Sequence, residues 1–174
     1  MTATSTMPCE CPAPTARAAK ADATFILFSG DMDRALAAFT LANTAAAAGM
    51  KTTLFFTFWG ITAVRGAKRK EPGGFMDRLF GAMLPRGAGK LPTSRMNFLG
   101  LGPRLFRWRM AKKRQPSLEL LLDQARLLGV RLLACEASAD MLGFGAGDLV
   151  EGVEIAGAMS CLRDAAASEV SLFI

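Results

Sequence analysis

Apolar and polar positions along the chain follow two rhythms. Largely apolar runs at residues 24–29, 52–59 and 130–135 are rich in Phe, Leu, Thr and Val and predict buried strands. Between them the apolar positions recur at three- and four-residue spacing. A first helix is expected from a cap at Asp31 or Asp33 to about Ala48, with Gly49 as its stop. A second starts at Ser117, with Glu119 behind the cap and a stripe of Leu118, Leu121, Leu122, Ala125 and Leu128, and ends at Gly129. A short helix over 137–142 stops at Gly143. Residues 149–155 then predict a fourth strand, 156–167 a helix and 169–174 a last strand.

Strand and helix therefore alternate, and the strands look apolar on both faces, as in a parallel sheet covered by helices on either side. Four or five strands are too few for a barrel of eight repeats. The expected architecture is α/β, a flavodoxin-like three-layer sandwich around a mostly parallel sheet. Residues 41–64 are long and uncharged enough to suggest a membrane span. Asn43, Gly49 and Lys51 interrupt that stretch, however, and its character changes at Gly49 from alanine-rich to Thr/Phe-rich. Helix, turn and strand account for it better.

Composition narrows the chemistry. The 174 residues include no histidine and no tyrosine, which excludes Ser-His-Asp and Cys-His catalysis, histidine-ligated zinc and imidazole acid/base chemistry. The net charge of +6 is unevenly spread. From Arg65 to Arg114 there are fourteen Lys/Arg against two acids, and elsewhere seven against thirteen. An otherwise acidic domain thus carries one basic insertion, at about 65–115, in which prolines and glycines separate short amphipathic segments at 75–84 and 105–110. Residues 1–20 lack the apolar stretch of a secretory signal and are expected to be a mobile tail before a single domain over 21–174. That implies a cytoplasmic protein, where thiols stay reduced.

Of the four cysteines, Cys135 stands out. It closes a predicted strand just before a predicted helix, on the rim where open α/β sheets bind ligands. A helix start there favours the thiolate; the alternative is a buried core cysteine. Ser138 stands in the first turn of that helix, and Trp59 and Gly60 end the second strand on the same rim, as a pocket wall or as packing. Cys161 is either helix filler or a resolving thiol for Cys135. Cys9 and Cys11 form half of a zinc site at best, so no metal or other cofactor is expected. The segment 29–33 follows the first strand but lacks a phosphate-loop pattern and carries two acids, so it predicts a turn and a cap.

The basic insertion is a solvated lid, a docking surface or a nucleic-acid site. No RNA- or DNA-binding motif and few stacking aromatics are present, which disfavours the last. Arg104, Arg107, Arg109, Lys112 and Lys113 are its docking candidates, toward an acidic protein or, peripherally, the anionic inner face of a membrane.

Four blocks in this order, 28–39 (FSGDMDRALAAF), 49–60 (GMKTTLFFTFWG), 96–102 (MNFLGLG) and 135–143 (CEASADMLG), resemble the DsrE/DsrF-like family. The likeness covers about residues 22–174 and is to the branch with a long basic insertion, often called peroxiredoxin-like. Peroxidase activity is not implied, because Cys135 lies in Leu-Ala-Cys-Glu rather than Thr-x-x-Cys. The resemblance implies a flavodoxin-like fold, a homo-oligomer, and a sulfur carrier or sulfurtransferase in which Cys135 holds sulfane sulfur as a persulfide. Rhodanese-like and TusA-like relay proteins are the implied partners. The rival reading is a non-catalytic adaptor held through the insertion.

Overall fold

The computed structural model describes residues 22–66, 84–85, 87–95 and 101–174. In chain order it contains β1 (Asp22–Leu27), α1 (Met32–Ala47), β2 (Lys51–Phe56), a 3-10 helix (Phe58–Val64), α2 (Leu101–Lys112), α3 (Leu118–Leu127), β3 (Arg131–Cys135), α4 (Glu136–Leu142), β4 (Val153–Ala156), α5 (Ala158–Ala167) and β5 (Val170–Phe173). The sheet has five parallel strands in the order β4-β3-β2-β1-β5. The tail with Cys9 and Cys11, residues 75–83 of the predicted segment 75–84, and residues 96–100 lie outside the described residues.

Strand alternation divides the interior in two. Phe25 and Leu27, Leu54 and Phe56, and Leu132 and Ala134 point to a large core shared with α1 and α3. Alanines at 35, 38 and 42 let α1 lie close to the strands, and Asn43 donates from its side chain to the Leu121 carbonyl at 2.9 Å, tying α1 to α3. The intervening strand positions point the other way. There Phe55, Leu133 and Cys135 meet Cys161 of α5 in a small cluster flanked by Ile26 and Ala156. Cys135 therefore belongs to the thin layer of the sandwich.

The helix ends follow local chemistry. Gly49 (φ 85°) and Gly143 (φ 68°) take the left-handed conformation that stops α1 and α4. Ser117 caps α3 through its hydroxyl, which accepts from the Leu120 N–H at 3.3 Å. Asp31 occupies the α1 N-cap without capping it, because its carboxylate accepts from the Ser29 hydroxyl at 2.8 Å. The segment after β1 is thus a closed Ser–Asp turn, as its residues predict, rather than an open loop. Asp33 accepts from the N–H and hydroxyl of Ser94, anchoring the segment that leads to α2.

Two sequence expectations need correction. The second strand stops at Phe56, and residues 58–64 wind into a 3-10 helix that packs Gly60 against β1. A Cβ at Gly60 would lie 2.1 Å from the Leu27 carbonyl oxygen, so the close approach requires glycine. The last two strands are not buried on both faces. They form the two edges of the sheet, and Phe173 of β5 remains 69% exposed. Parallel neighbours and helices cover only the central three. No helix among the described residues is long and apolar enough to cross a membrane; residues 41–64 divide into helix, strand and 3-10 turn.

Candidate active site around Cys135

Cys135 is the last residue of β3 and the N-cap of α4. Only 7% of it is exposed. In parallel sheets the carboxyl ends of neighbouring strands lie side by side, and Phe56 of β2 pairs with Ala134. Thr57, the residue after β2, therefore reaches the same rim. Its hydroxyl lies 3.1 Å from that of Ser138, in the first turn of α4. Ser138 is buried and Thr57 half-buried, so the pair lies at the edge of the interior.

Burial pushes the Cys135 thiol up, because a thiolate loses hydration there. The Ser138 hydroxyl, the Ser138 N–H, the Thr57 hydroxyl and the Ala137 N–H act in the other direction by donating to the charged form. The donors win, and the thiol lies below its ordinary value. At seven residues α4 is too short for a large macrodipole. The stabilisation comes from its first N–H groups and from two hydroxyls. Glu136 is exposed, with its carboxylate near Gly157 at the start of α5.

Cys161, 5% exposed, packs in the same cluster as Cys135. Burial pushes its thiol up, and the negative charges of Asp164 and of the Cys135 thiolate push it further. Two neighbouring thiols are thus driven apart in acidity, one toward thiolate and the other toward thiol.

The remaining sequence candidates lie elsewhere. Trp59 is exposed and lines a cavity with Gly30, Thr62 and Pro92, while Gly60 packs on Leu27. Arg104, Arg109 and Lys112 of α2 are exposed, as is Lys113 in the turn that follows. Arg107 is tied back by a hydrogen bond from its guanidinium to the Gly89 carbonyl. Arg65, counted with the basic insertion, is a core residue at 2% exposure. Its guanidinium donates to the Leu84 carbonyl and stacks 4.4 Å from the Phe144 ring centre. Sequence reading missed both Arg65 and Thr57. A threonine directly after an apolar strand, next to the strand that ends in cysteine, was the available signal for Thr57. Among the described residues no three Cys, Asp or Glu side chains are grouped to hold a metal ion.

A model of the DsrE/DsrF/DrsH-like family matches residues 19–173. The chain belongs to that family. Similar family-length proteins include the uncharacterized protein YrkE of Bacillus subtilis (strain 168), 41% identical over 152 residues that cover 87% of this chain and 95% of YrkE. The sulfur carrier protein DsrE2 of Allochromatium vinosum is 29% identical over 155 residues, covering 86% of this chain and 95% of DsrE2. Among solved structures, the ychN protein from E. coli superposes with a TM-score of 0.50 at 14% identity, covering 88% of this chain and 99% of that one. That likeness is one of fold: the flavodoxin-like parallel sandwich expected from the alternation of strands and helices.

Proposed function

We propose that this member of the DsrE/DsrF/DrsH-like family is a sulfur carrier or sulfurtransferase that holds sulfane sulfur on Cys135. The observation that carries the reading is a nearly buried thiol made more acidic by four convergent donors. Cys135 thiolate attacks the outer sulfur of a donor persulfide. The donor's S–S bond breaks, the donor leaves as thiolate, and Cys135 becomes a persulfide. An acceptor thiolate then attacks the outer sulfur and Cys135 leaves as thiolate. Thiol exchange needs a thiolate, access and a good leaving sulfur, and no imidazole. The name of the A. vinosum relative, a sulfur carrier protein, supports the same reading. Rhodanese-like and TusA-like proteins are the proposed donor and acceptor. The test is intact and peptide mass spectrometry after incubation with polysulfide, with removal of excess reagent. The expected product gains the mass of one sulfur atom on the peptide holding Cys135. Gain only at Cys161, Cys9 or Cys11 would sink the assignment.

The thin layer supports assembly with further copies. β5 is an edge strand whose Phe173, in register with Ile26, is exposed on this side, and Met159 and Leu162 of α5 lie open on the same layer. Burying Phe173 alone would contribute about 1.5–3 kcal/mol to an interface. Phe173→Asp is expected to move the protein to a smaller oligomer in light scattering. A monomeric wild type would contradict this.

A second reading rests on α2. Leu101, Leu105 and Trp108 recur at spacings of four and three and are all exposed, with Arg104, Arg109 and Lys112 around them and no acid in the helix. Such a helix suits an anionic membrane surface. Each cation contributes about 1 kcal/mol near such a surface, so reversing these three to Glu should weaken vesicle binding by at least about 100-fold. Flotation with anionic and with zwitterionic vesicles measures it. Equal flotation of variant and wild type would remove this reading.

A further inference from the structure

We propose that Cys161 is a built-in discharge thiol: it attacks the Cys135 persulfide, forms a Cys135–Cys161 disulfide and releases hydrogen sulfide. The inference rests on the carrier reading of Cys135 and adds a second outcome for the bound sulfur. Four observations bring the two cysteines to one place between α5 and the sheet. Both cysteines belong to one buried cluster, with Phe55 and Leu133 as the other members. Cys135 pairs in register with Ala156, the last residue of β4, and α5 starts two residues later. The face of α5 that carries Cys161 is held down on the sheet. Asp164, one turn further along that face, accepts from the Arg131 guanidinium of β3 at 3.0 Å and from the Thr53 hydroxyl of β2 at 3.5 Å. Beyond it Ser168 meets the Thr24 hydroxyl of β1 at 2.8 Å. Three successive anchors thus fix the helix along strands that end at the site.

The step balances without an added oxidant. The Cys161 sulfur attacks the inner sulfur of the persulfide, the Cys135 Sγ. A bond forms between the two cysteine sulfurs, and the bond from Cys135 Sγ to the outer sulfur breaks. The outer sulfur leaves with that electron pair and takes up the Cys161 proton to give hydrogen sulfide. It is reduced as Cys161 is oxidised into the disulfide. A dithiol reductant then restores both thiols by ordinary exchange. Burial beside Asp164 keeps Cys161 protonated, so discharge is slow and the persulfide persists long enough to meet an acceptor. An acceptor that arrives first takes the sulfur. Without one the site empties itself, which guards against over-sulfuration of a reactive thiolate.

The full chain carrying Cys9→Ser and Cys11→Ser is the protein to use, leaving Cys135 and Cys161 as its thiols. It is loaded with polysulfide, freed of excess reagent and followed over time by intact mass, by a sulfide probe and by non-reducing peptide mapping. Loss of the added sulfur should proceed together with one equivalent of sulfide and a peptide pair joined through Cys135 and Cys161. Adding Cys161→Ala should slow sulfide release at least about tenfold, with the sulfur retained on Cys135. Loading without the joined peptides, or equally fast release from the Cys161→Ala protein, would overturn the discharge role and leave the carrier reading standing. Failure of Cys135 to load at all would overturn both. Because the joined peptides are sought in a protein with both sulfurs present, the outcome does not depend on the Cys161 variant folding well.

Discussion

Cys135→Ser removes sulfur loading altogether. The expected result is no mass gain after polysulfide treatment and no transfer to an acceptor thiol, with far-ultraviolet circular dichroism unchanged. Serine is nearly isosteric and can use the same Ser138 and Ala137 donors, so the fold should tolerate it. Its oxygen cannot form or release a sulfane bond under these conditions. The loss should therefore reach the detection limit rather than a fixed factor. Cys161→Ser provides the contrast: Cys161 is not ionised at neutral pH, and loading at Cys135 should survive its replacement. A Cys135→Ser protein that still transfers sulfur would mean that the relay runs elsewhere, and the adaptor reading would gain.

The second large effect concerns the donors. In the double variant Thr57→Val and Ser138→Ala, two hydroxyls that favour the thiolate are gone while the burial that opposes it remains. The thiol must then shift upward. The wild-type thiolate appears at lower pH than in an ordinary cysteine, and the variant's should appear at higher pH than the wild type's. Each unit of upward shift lowers the thiolate fraction at fixed neutral pH about tenfold, but the more basic thiolate is intrinsically about threefold more nucleophilic. The net loss of rate is only about threefold per unit. The inflection of the alkylation rate against pH is accordingly the sharper readout. It should move alkaline by the full shift, and either single variant should move it less, because the remaining hydroxyl still reaches the sulfur. An unmoved inflection in the double variant would mean that the backbone N–H groups alone set the acidity. These experiments are best read on Cys9→Ser/Cys11→Ser protein, where alkylation of the tail cannot mask the signal.

Much of this arrangement was legible in the residues. The end of β3 and the start of α4 were marked by an apolar run meeting Glu136, and Cys135 and Ser138 followed from that boundary. Ser117, Gly49 and Gly143 ended or began helices where their chemistry requires. Thr57 was harder to see. It sits 78 positions before Cys135 in sequence, and only the pairing of β2 with β3 brings it to the thiol. Arg65 was misread for a related reason. A basic residue at the edge of a basic segment looks solvated until Phe144, nearly 80 residues later, supplies its aromatic face. The exposed edges had no sequence signal, because apolar edge strands and apolar central strands look alike along the chain.

Which chemistry is possible and which elements form can be read from the residues alone. The lack of imidazole, the strand-helix alternation and the family blocks are properties of order and composition, and they need no coordinates. Tertiary structure decided what the two buried cysteines can do. Period-two alternation sends Cys135 to the thin side of the sheet, and the Asp164 anchor brings Cys161 over the same strands. Acidity is then set by neighbours, because hydrogen bonds and charges act through space over a few ångströms. Hydroxyls and N–H groups pull one thiol down against its burial, while burial, a carboxylate and the first thiolate push the other up. Those neighbours come from β2, α4 and α5, and no reading along one segment could assemble them.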